Sequence, residues 1–197
     1  QRMGMMLTNL IDYLHIVKHP IAIEQLDMTS IAKAATAQLS ASLDGADVSV
    51  QAMPAACADQ GLVTKLLKNL LDNSIKYSSP GRPLCIKIGF DDAKSAYFIS
   101  DNGIGFDPDN SSKLFGLFQR LEAHPAIPGL GVGLAIARRI VEKHAGRIWA
   151  HAEKGGGATV FFQIPLVPDS STNGDGSETS YQDAFQKDFN PQHRMHL

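Results

Sequence analysis

Asn69 and Asn73 stand four residues apart, with Lys76 and Tyr77 following within the same turn. On an α-helix that spacing stacks the two amides on one face and extends the stripe to the lysine and the phenol ring. Amide oxygens are hard ligands suited to Mg²⁺, an ammonium meets phosphate, and a ring packs on a flat base. The set is equipped for a nucleotide with its metal, although a solvated polar helix face would carry the same residues. A second candidate is the run Asp101-Asn102-Gly103-Ile104-Gly105-Phe106. A carboxylate at a strand end accepts from an exocyclic amine such as adenine presents, and Gly103 and Gly105 let backbone pass close to a flat ligand or take positive φ. Asp-Asn-Gly is also ordinary turn chemistry. The third candidate, Gly129-Leu130-Gly131-Val132-Gly133-Leu134, opens a helical stretch, where unpaired N–H groups and the helix dipole favour phosphate. Its glycines follow a long loop rather than a strand, and no acidic residue closes a following strand at the required distance. Both facts count against a Rossmann dinucleotide site, and the absence of Gly-Lys-Ser/Thr excludes a Walker A loop.

These residues need a scaffold, and the surrounding pattern supplies one. Residues 60–77 read as a helix whose Val63, Leu67, Leu70, Leu71 and Ser74 would face a sheet. Residues 27–43 read as another, with Asp27 or Thr29 as N-cap and Gly45 as the stop, and residues 131–144 as a third. Strands are expected at 48–52, 84–90, 96–100, 147–152 and 158–164, the last two joined by Gly155-Gly156-Gly157. The sum is an α/β (α+β) two-layer sandwich, a mixed sheet of about five strands with helices on one face. Residues 106–128 show no clean period and contain Pro108, Pro125 and Pro128, the mark of a functional or mobile loop.

Upstream, Met3, Leu7, Leu10, Leu14 and Val17 step by four, three, four and three. That is an a/d seam for a coiled coil or helical bundle, or the apolar stripe of one helix lying on its own domain. Pro20 ends it. After Pro168 the composition turns to Ser, Thr, Asn, Gly and Asp, a flexible tail, with Tyr181, Phe185 and Phe189 spaced for a short docking helix as the alternative. The expected division is a helix at 1–20, a main domain at 21–168 and a tail at 169–197.

A net charge of −2 with 44% hydrophobic residues describes an ordinary globular chain and gives no broad electrostatic reason to bind nucleic acid. Cys57 and Cys85 form no CxxC or Cys/His cluster, so reduced, buried thiols and a cytoplasmic setting are expected. No apolar run reaches the roughly 20 residues of a membrane span, so no membrane contact is expected of this chain, and no signal-peptide core follows the N-terminus. Gln1 falls in the middle of an apparent helix, which suggests a piece of a longer protein.

Taken in order, Asn69-Leu70-Leu71-Asp72-Asn73-Ser74-Ile75-Lys76-Tyr77, Asp101 to Phe106, Phe115-Gly116-Leu117-Phe118-Gln119-Arg120-Leu121, and Gly129 to Leu134 resemble the N, G1, F and G2 boxes of sensor histidine-kinase ATPase domains. The resemblance covers roughly residues 25–165, and the Leu-Phe-Gln-Arg-Leu and Gly-Arg-Ile-Trp segments look most like soluble kinases of the phytochrome and PAS-linked kind. It implies a Bergerat (GHKL) ATP-binding fold with a mobile lid over 106–128, ATP and Mg²⁺ as cofactors, and γ-phosphoryl transfer to a histidine. It implies Asn73 and Asn69 as metal-and-phosphate asparagines, Lys76 as a phosphate contact and Tyr77 as the ring beside adenine. Asp101 would accept from the adenine amine in a pocket shaped by Gly103 and Gly105. Arg120, with Lys113 or Gln119, belongs to the lid, and Phe118 is a nucleotide contact. Gly129, Gly131, Gly133 and Leu134 form its hinge and phosphate loop, and Thr159 is a strand hydroxyl near adenine. The implied partners are its own or a partner subunit's phosphoacceptor hairpin and a response-regulator receiver domain, in a full-length homodimer built on a four-helix bundle.

Two departures stand out. Leu130 replaces a frequent Thr or Ser of the phosphate loop. His15 precedes Ile16 rather than an acid, so His15 and His19 do not match the acceptor motif, and the acceptor is expected outside this chain. His144, His151, His193 and His196 read as structural or surface residues. The other readings are an ATP-binding signalling module without transfer, a DNA-repair, topoisomerase or chaperone relative, or a serine-directed anti-sigma kinase. The Phe box and the heptad helix point away from the last two.

Overall fold

Strands form where β-branched and aromatic residues cluster between turn residues. In the computed structural model, which describes residues 11, 13–18, 20–119 and 131–167, these are β1 (Glu24–Leu26), β2 (Asp47–Val50), β3 (Ala56–Ala58), β4 (Cys85–Asp91), β5 (Ala96–Asp101), β6 (Ile148–Glu153) and β7 (Gly157–Phe162). Five make one mixed sheet in the order β2-β4-β5-β7-β6, with β2 parallel to β4 and the other neighbours antiparallel. Helices α1 (Met28–Gln38), α2 (Gln60–Lys76) and α3 (Gly133–Lys143) cover one face, so the expected one-sided sandwich is the observed one. The antiparallel pair β1–β3 was not expected, because Ala56-Cys57-Ala58 is buried throughout and lacks the polar–apolar alternation that marks a strand.

Local chemistry sets the helix limits. Asp27 caps α1 by accepting from the Ser30 N–H at 3.0 Å and the Ser30 hydroxyl at 2.6 Å. The helix closes at Gln38 rather than 43, and residues 40–42 form a 3₁₀ turn before Gly45 takes φ +73°. Asp59 caps α2 through the Leu62 N–H at 2.9 Å and also accepts from the Ala22 N–H at 3.0 Å. Leu66, Leu67, Leu70 and Leu71 of α2 meet Ile136, Ile140 and Val141 of α3 above Ile86, Ile88, Ile99 and Phe162 of the sheet.

His144, just past α3, is fully buried; its Nε2 accepts from the Asp59 N–H at 3.0 Å and its Nδ1 lies 2.8 Å from the Ile140 carbonyl. That pairing fixes a neutral ring with the proton on Nδ1, and burial pushes its pKa down. Residues 13–18 are helical, and Ile16 of this turn is 3% exposed within the core while Leu14 is 46% exposed. The residue that docks is therefore off the proposed seam, whose Met3, Leu7 and Leu10 lie outside the described residues, as does His19. The tail at 169–197, with its aromatic triplet and both terminal histidines, lies outside them too.

The uncovered sheet face shields its own aromatics. Trp149 stacks on Phe161 at 5.4 Å and 10°, with Lys94 over Phe161 and Arg147 over Trp149. Both cysteines are free; Cys57 is buried, which raises its thiol pKa, and Cys85 is half-buried. No helix among the described residues is long and apolar enough to cross a membrane.

Candidate functional site

A cleft opens between α2, the N-terminal end of α3 and the ends of β5 and β7, and the two sequence candidates Asn69–Tyr77 and Asp101–Phe106 both line it. At its inner end, Asp101 projects toward the helices because Ile99 and Tyr97 do, two and four residues earlier on the same side of β5. Its Oδ2 accepts from the Ser74 hydroxyl at 2.9 Å, and its Oδ1 accepts from the N–H groups of Gly103 at 2.9 Å and Ala158 at 3.4 Å. Burial raises the Asp101 pKa, and these three donors work against that rise by favouring the charged form. Asn102, next in line, faces the other way: its amide holds Cys85 N–H and the Pro83 carbonyl, each at 2.9 Å. The Asp-Asn-Gly turn thus uses one side chain for the cleft and one for the chain that borders it.

The glycines are required by space as well as by dihedral angle. A Cβ on Gly103 would stand 2.4 Å from the Tyr77 carbonyl oxygen, which itself accepts from the Ile104 N–H at 2.9 Å. Gly105 takes φ +62°, and a Cβ there would meet the Glu153 carbonyl oxygen at 2.0 Å. The floor beneath is apolar, formed by Ile99, Ala150, Ala158 and Val160 of the sheet with Leu70 and Ile136 of the helices. A flat aromatic base with an exocyclic amine suits a slot with these walls and Asp101 at its end.

The outer end has a different character. The Asn69 Nδ2 donates to the Lys65 carbonyl at 2.9 Å, and its Oδ1 lies 3.3 Å from the point a Gly133 Cβ would occupy. The Asn73 amide approaches the same point at 3.9 and 4.0 Å, and its Nδ2 is buried with no hydrogen-bond partner. No side chain caps α3, and Gly131, Val132, Gly133 and Leu134 at its start line the cleft. Gly131 holds φ +68°, where a Cβ would meet the Gln119 carbonyl oxygen at 2.5 Å. Lys76 places its ammonium 4.7 Å from the Tyr77 ring centroid, and both residues line the cleft. A helix start, an ammonium and an orphaned buried amide facing one space make a receptor for an anion. No cluster of three or more His, Cys, Asp or Glu among the described residues could hold a metal alone. An Asn oxygen together with a ligand's own phosphates could share the shell of a divalent ion, as is common for Mg²⁺.

Among the sequence candidates, Asn69, Asn73, Lys76, Tyr77, Asp101, Gly105, Gly131, Gly133 and Leu134 line the cleft, and Gly103 lies beneath it. Thr159 does not. It pairs with Ser100 across β5–β7, with the two hydroxyls 2.8 Å apart, on the uncovered face of the sheet. The cleft-facing members of that strand are Ala158 and Val160, because side chains alternate and Ala158 is the one opposite Asp101. Phe118 is also misplaced by the sequence reading: it is 53% exposed at φ +59° and takes no part in the lining, whereas Leu114 and Gln119 do. Its partner Phe115 is buried, 7% exposed. Lys113 is exposed and lies away from the cleft. Arg120 and Gly129 lie outside the described residues. Sequence reasoning missed the floor, although Ile99 and Ile136 stand two and three residues from Asp101 and Gly133 on the same faces and were within reach of the periodicity.

Comparison with known proteins agrees with this geometry. The methanogenesis regulatory histidine kinase FilI of Methanothrix harundinacea is 46% identical over 57% of this chain and 13% of its own length. The phytochrome-like protein Cph1 of Synechocystis is 40% identical over 62% of this chain and 16% of its own. The chain thus spans well under a fifth of the length of these relatives. Among solved structures, the mycobacterial sensor histidine kinase MprB superposes with a TM-score of 0.63 at 24% identity, over 75% of this chain and 99% of that one. Full-length ShkA in complex with AMPPNP gives 0.67 at 22% identity, over 82% of this chain and 36% of that one, and both show the same fold. A family model described as histidine kinase-, DNA gyrase B- and HSP90-like ATPase matches residues 58–168, from the Asn helix through the last strand of the sheet. More than half of the chain falls within that match, cleft included, and the protein belongs to this family of ATP-binding domains.

Proposed function

We propose that the chain is the catalytic ATP-binding domain of a sensor histidine kinase in two-component signalling, passing the γ-phosphoryl group of Mg-ATP to a histidine imidazole outside this chain. The observation that carries the nucleotide reading is Asp101, a buried carboxylate held by three donors at the end of an apolar slot. Its remaining acceptor position suits the adenine amine, and Tyr77 suits the edge of the base. The kinase reading is supported by FilI, a relative that carries that name.

Catalysis in such a site is mostly positioning and charge neutralisation. The start of α3 and the Lys76 ammonium would receive the phosphates, and Arg120 would add a cation from the lid. The Asn73 and Asn69 amide oxygens would hold Mg²⁺, which supplies neutralisation of the phosphate oxygens. The orphaned Asn73 Nδ2 is a donor that a phosphate oxygen would satisfy, which leaves the Oδ1 of the same amide for the ion. The remaining partners would be the phosphoacceptor hairpin, on the same or a partner subunit, and a receiver domain, in a cytoplasmic setting.

The test joins this domain to its hairpin and follows radiolabelled phosphate from γ-labelled ATP to histidine. Transfer that Asp101→Asn abolishes supports the reading; ATP binding without transfer in the joined protein would reduce the domain to a binding module.

A further inference from the structure

The contacts of Asp101 assign a role to a residue that stands inside the first motif with no role of its own. Ser74 lies on α2 between Asn73 and Lys76, 4% exposed, and lines the cleft beside Asp101. Its Oγ is 2.9 Å from the Asp101 Oδ2 and 3.4 Å from the Leu70 carbonyl one turn back. A hydroxyl has one hydrogen to give, and a buried serine in a helix commonly gives it to that upstream carbonyl. Here the shorter contact is to the carboxylate, and a charged acceptor in a buried site outcompetes a neutral one.

An ionised carboxylate offers about four acceptor positions. At Asp101, Oδ1 takes two donors, Gly103 and Ala158, and Oδ2 takes Ser74. One position on Oδ2 is left, beside the Ser74 hydroxyl. We infer that Ser74 is the positioning residue for base selection: by holding Oδ2, it leaves a single, oriented acceptor that takes an exocyclic N–H and refuses an exocyclic carbonyl. This rests on the reading of the cleft as an ATP site.

Two physical effects act in the same direction. The Gly103 and Ala158 contacts both grip Oδ1, so without Ser74 the carboxylate is free to turn about that end. Burial already favours the neutral acid at Asp101, and the serine is one of the donors that oppose it. A protonated Asp101 would present an O–H, which welcomes a carbonyl as readily as the anion welcomes an amine. Losing the hydroxyl therefore costs discrimination as well as affinity. A serine that merely filled space would affect every nucleotide alike.

The experiment measures dissociation constants of ATP and of inosine triphosphate, which carries a carbonyl where ATP carries the amine. Wild type is compared with Ser74→Ala, Ser74→Cys and Asp101→Asn. We expect Ser74→Ala to weaken ATP binding about tenfold while inosine triphosphate changes less than about twofold, since a hydrogen bond to a charged group is lost for one ligand only. Ser74→Cys, of similar shape with a weak donor, falls between, and it carries the test if the alanine variant does not fold. Equal weakening of both nucleotides, or no change in either, overturns the inference. If Asp101→Asn abolishes ATP binding while both Ser74 variants match wild type, the ATP site stands and only the serine role fails. If Asp101→Asn binds ATP normally, the site reading itself fails.

Discussion

The two ends of the cleft solve opposite problems. At the base end the polar groups are held in place: Asp101 has three donors and one acceptor position left, Asn102 has two contacts, and the Tyr77 carbonyl is paired. At the phosphate end the Asn73 Nδ2 is buried without a partner, and α3 begins with no side-chain cap. A finished acceptor selects by shape, because its geometry cannot adapt. An unfinished cluster of donors binds strongly whatever anion completes it, because the ligand removes the cost of those orphaned groups. On the proposed reading, the base end would decide which nucleotide enters and the phosphate end would supply most of the attraction.

Asp101→Asn is the sharpest attack on that division. The amide meets donors from Ser74, Gly103 and Ala158 with only one oxygen to offer, so ATP binding should fall by at least about a hundredfold while the circular dichroism spectrum is kept. An unchanged titration would end the selective role of the base end. Asn73→Ala should act differently, lowering ATP affinity about tenfold in Mg²⁺ but much less in EDTA, because it removes a metal-side oxygen and an orphaned donor together. Equal losses in both buffers would deny Asn73 its place at the phosphate end.

The anchor of α3 gives a pH signature in stability. His144 is neutral in the fold with its pKa depressed, whereas in the unfolded chain it titrates near 6.5. Below about pH 6.5 the unfolded state takes up a proton that the folded state refuses, so stability is full above that pH and declines beneath it, by at most about 1.4 kcal/mol per pH unit. Thermal melts at pH 7.5 and 5.5 should show the decline, and His144→Gln should flatten it. The smallest effect is the most specific: Thr159→Val should leave ATP affinity within about twofold, since that hydroxyl engages Ser100 on the far face. A larger loss would put β7 in a different register from the one described.

Much of this arrangement was legible in the sequence. The helix carrying Asn69 and Asn73 announced itself by its leucine spacing, Asp27 by its capping chemistry, and all five strands of the main sheet by composition and turns. What was hidden depended on parity or on distant pairing. Whether Ala158 or Thr159 faces the cleft is decided by which residue lies opposite Asp101, a one-residue matter that a strand cannot state by itself. Phe118 points outward because its backbone turns to positive φ, which composition does not reveal. The Ser74 hydroxyl could be placed on the sheet side from spacing, but its partner lies 27 residues on. Ile16 is buried though it stands off the seam, because it meets the domain rather than another helix.

The knot at the far end of α3 has a mechanical side. Lys143 donates to the Val17 carbonyl at 3.2 Å, Asp59 holds the Ala22 N–H, and His144 ties α3 to the cap of α2. The segment entering the domain is thus bolted to one end of a rod whose other end, at Gly133, lines the cleft. Eleven helical residues make that rod about 16 Å long, so a tilt of roughly 10° about the bolt would swing the Gly133 end by about 3 Å. That is the width of a hydrogen bond. A small tilt at the buried His144 end would thus be magnified at the Gly133 end, where the helix lines the cleft.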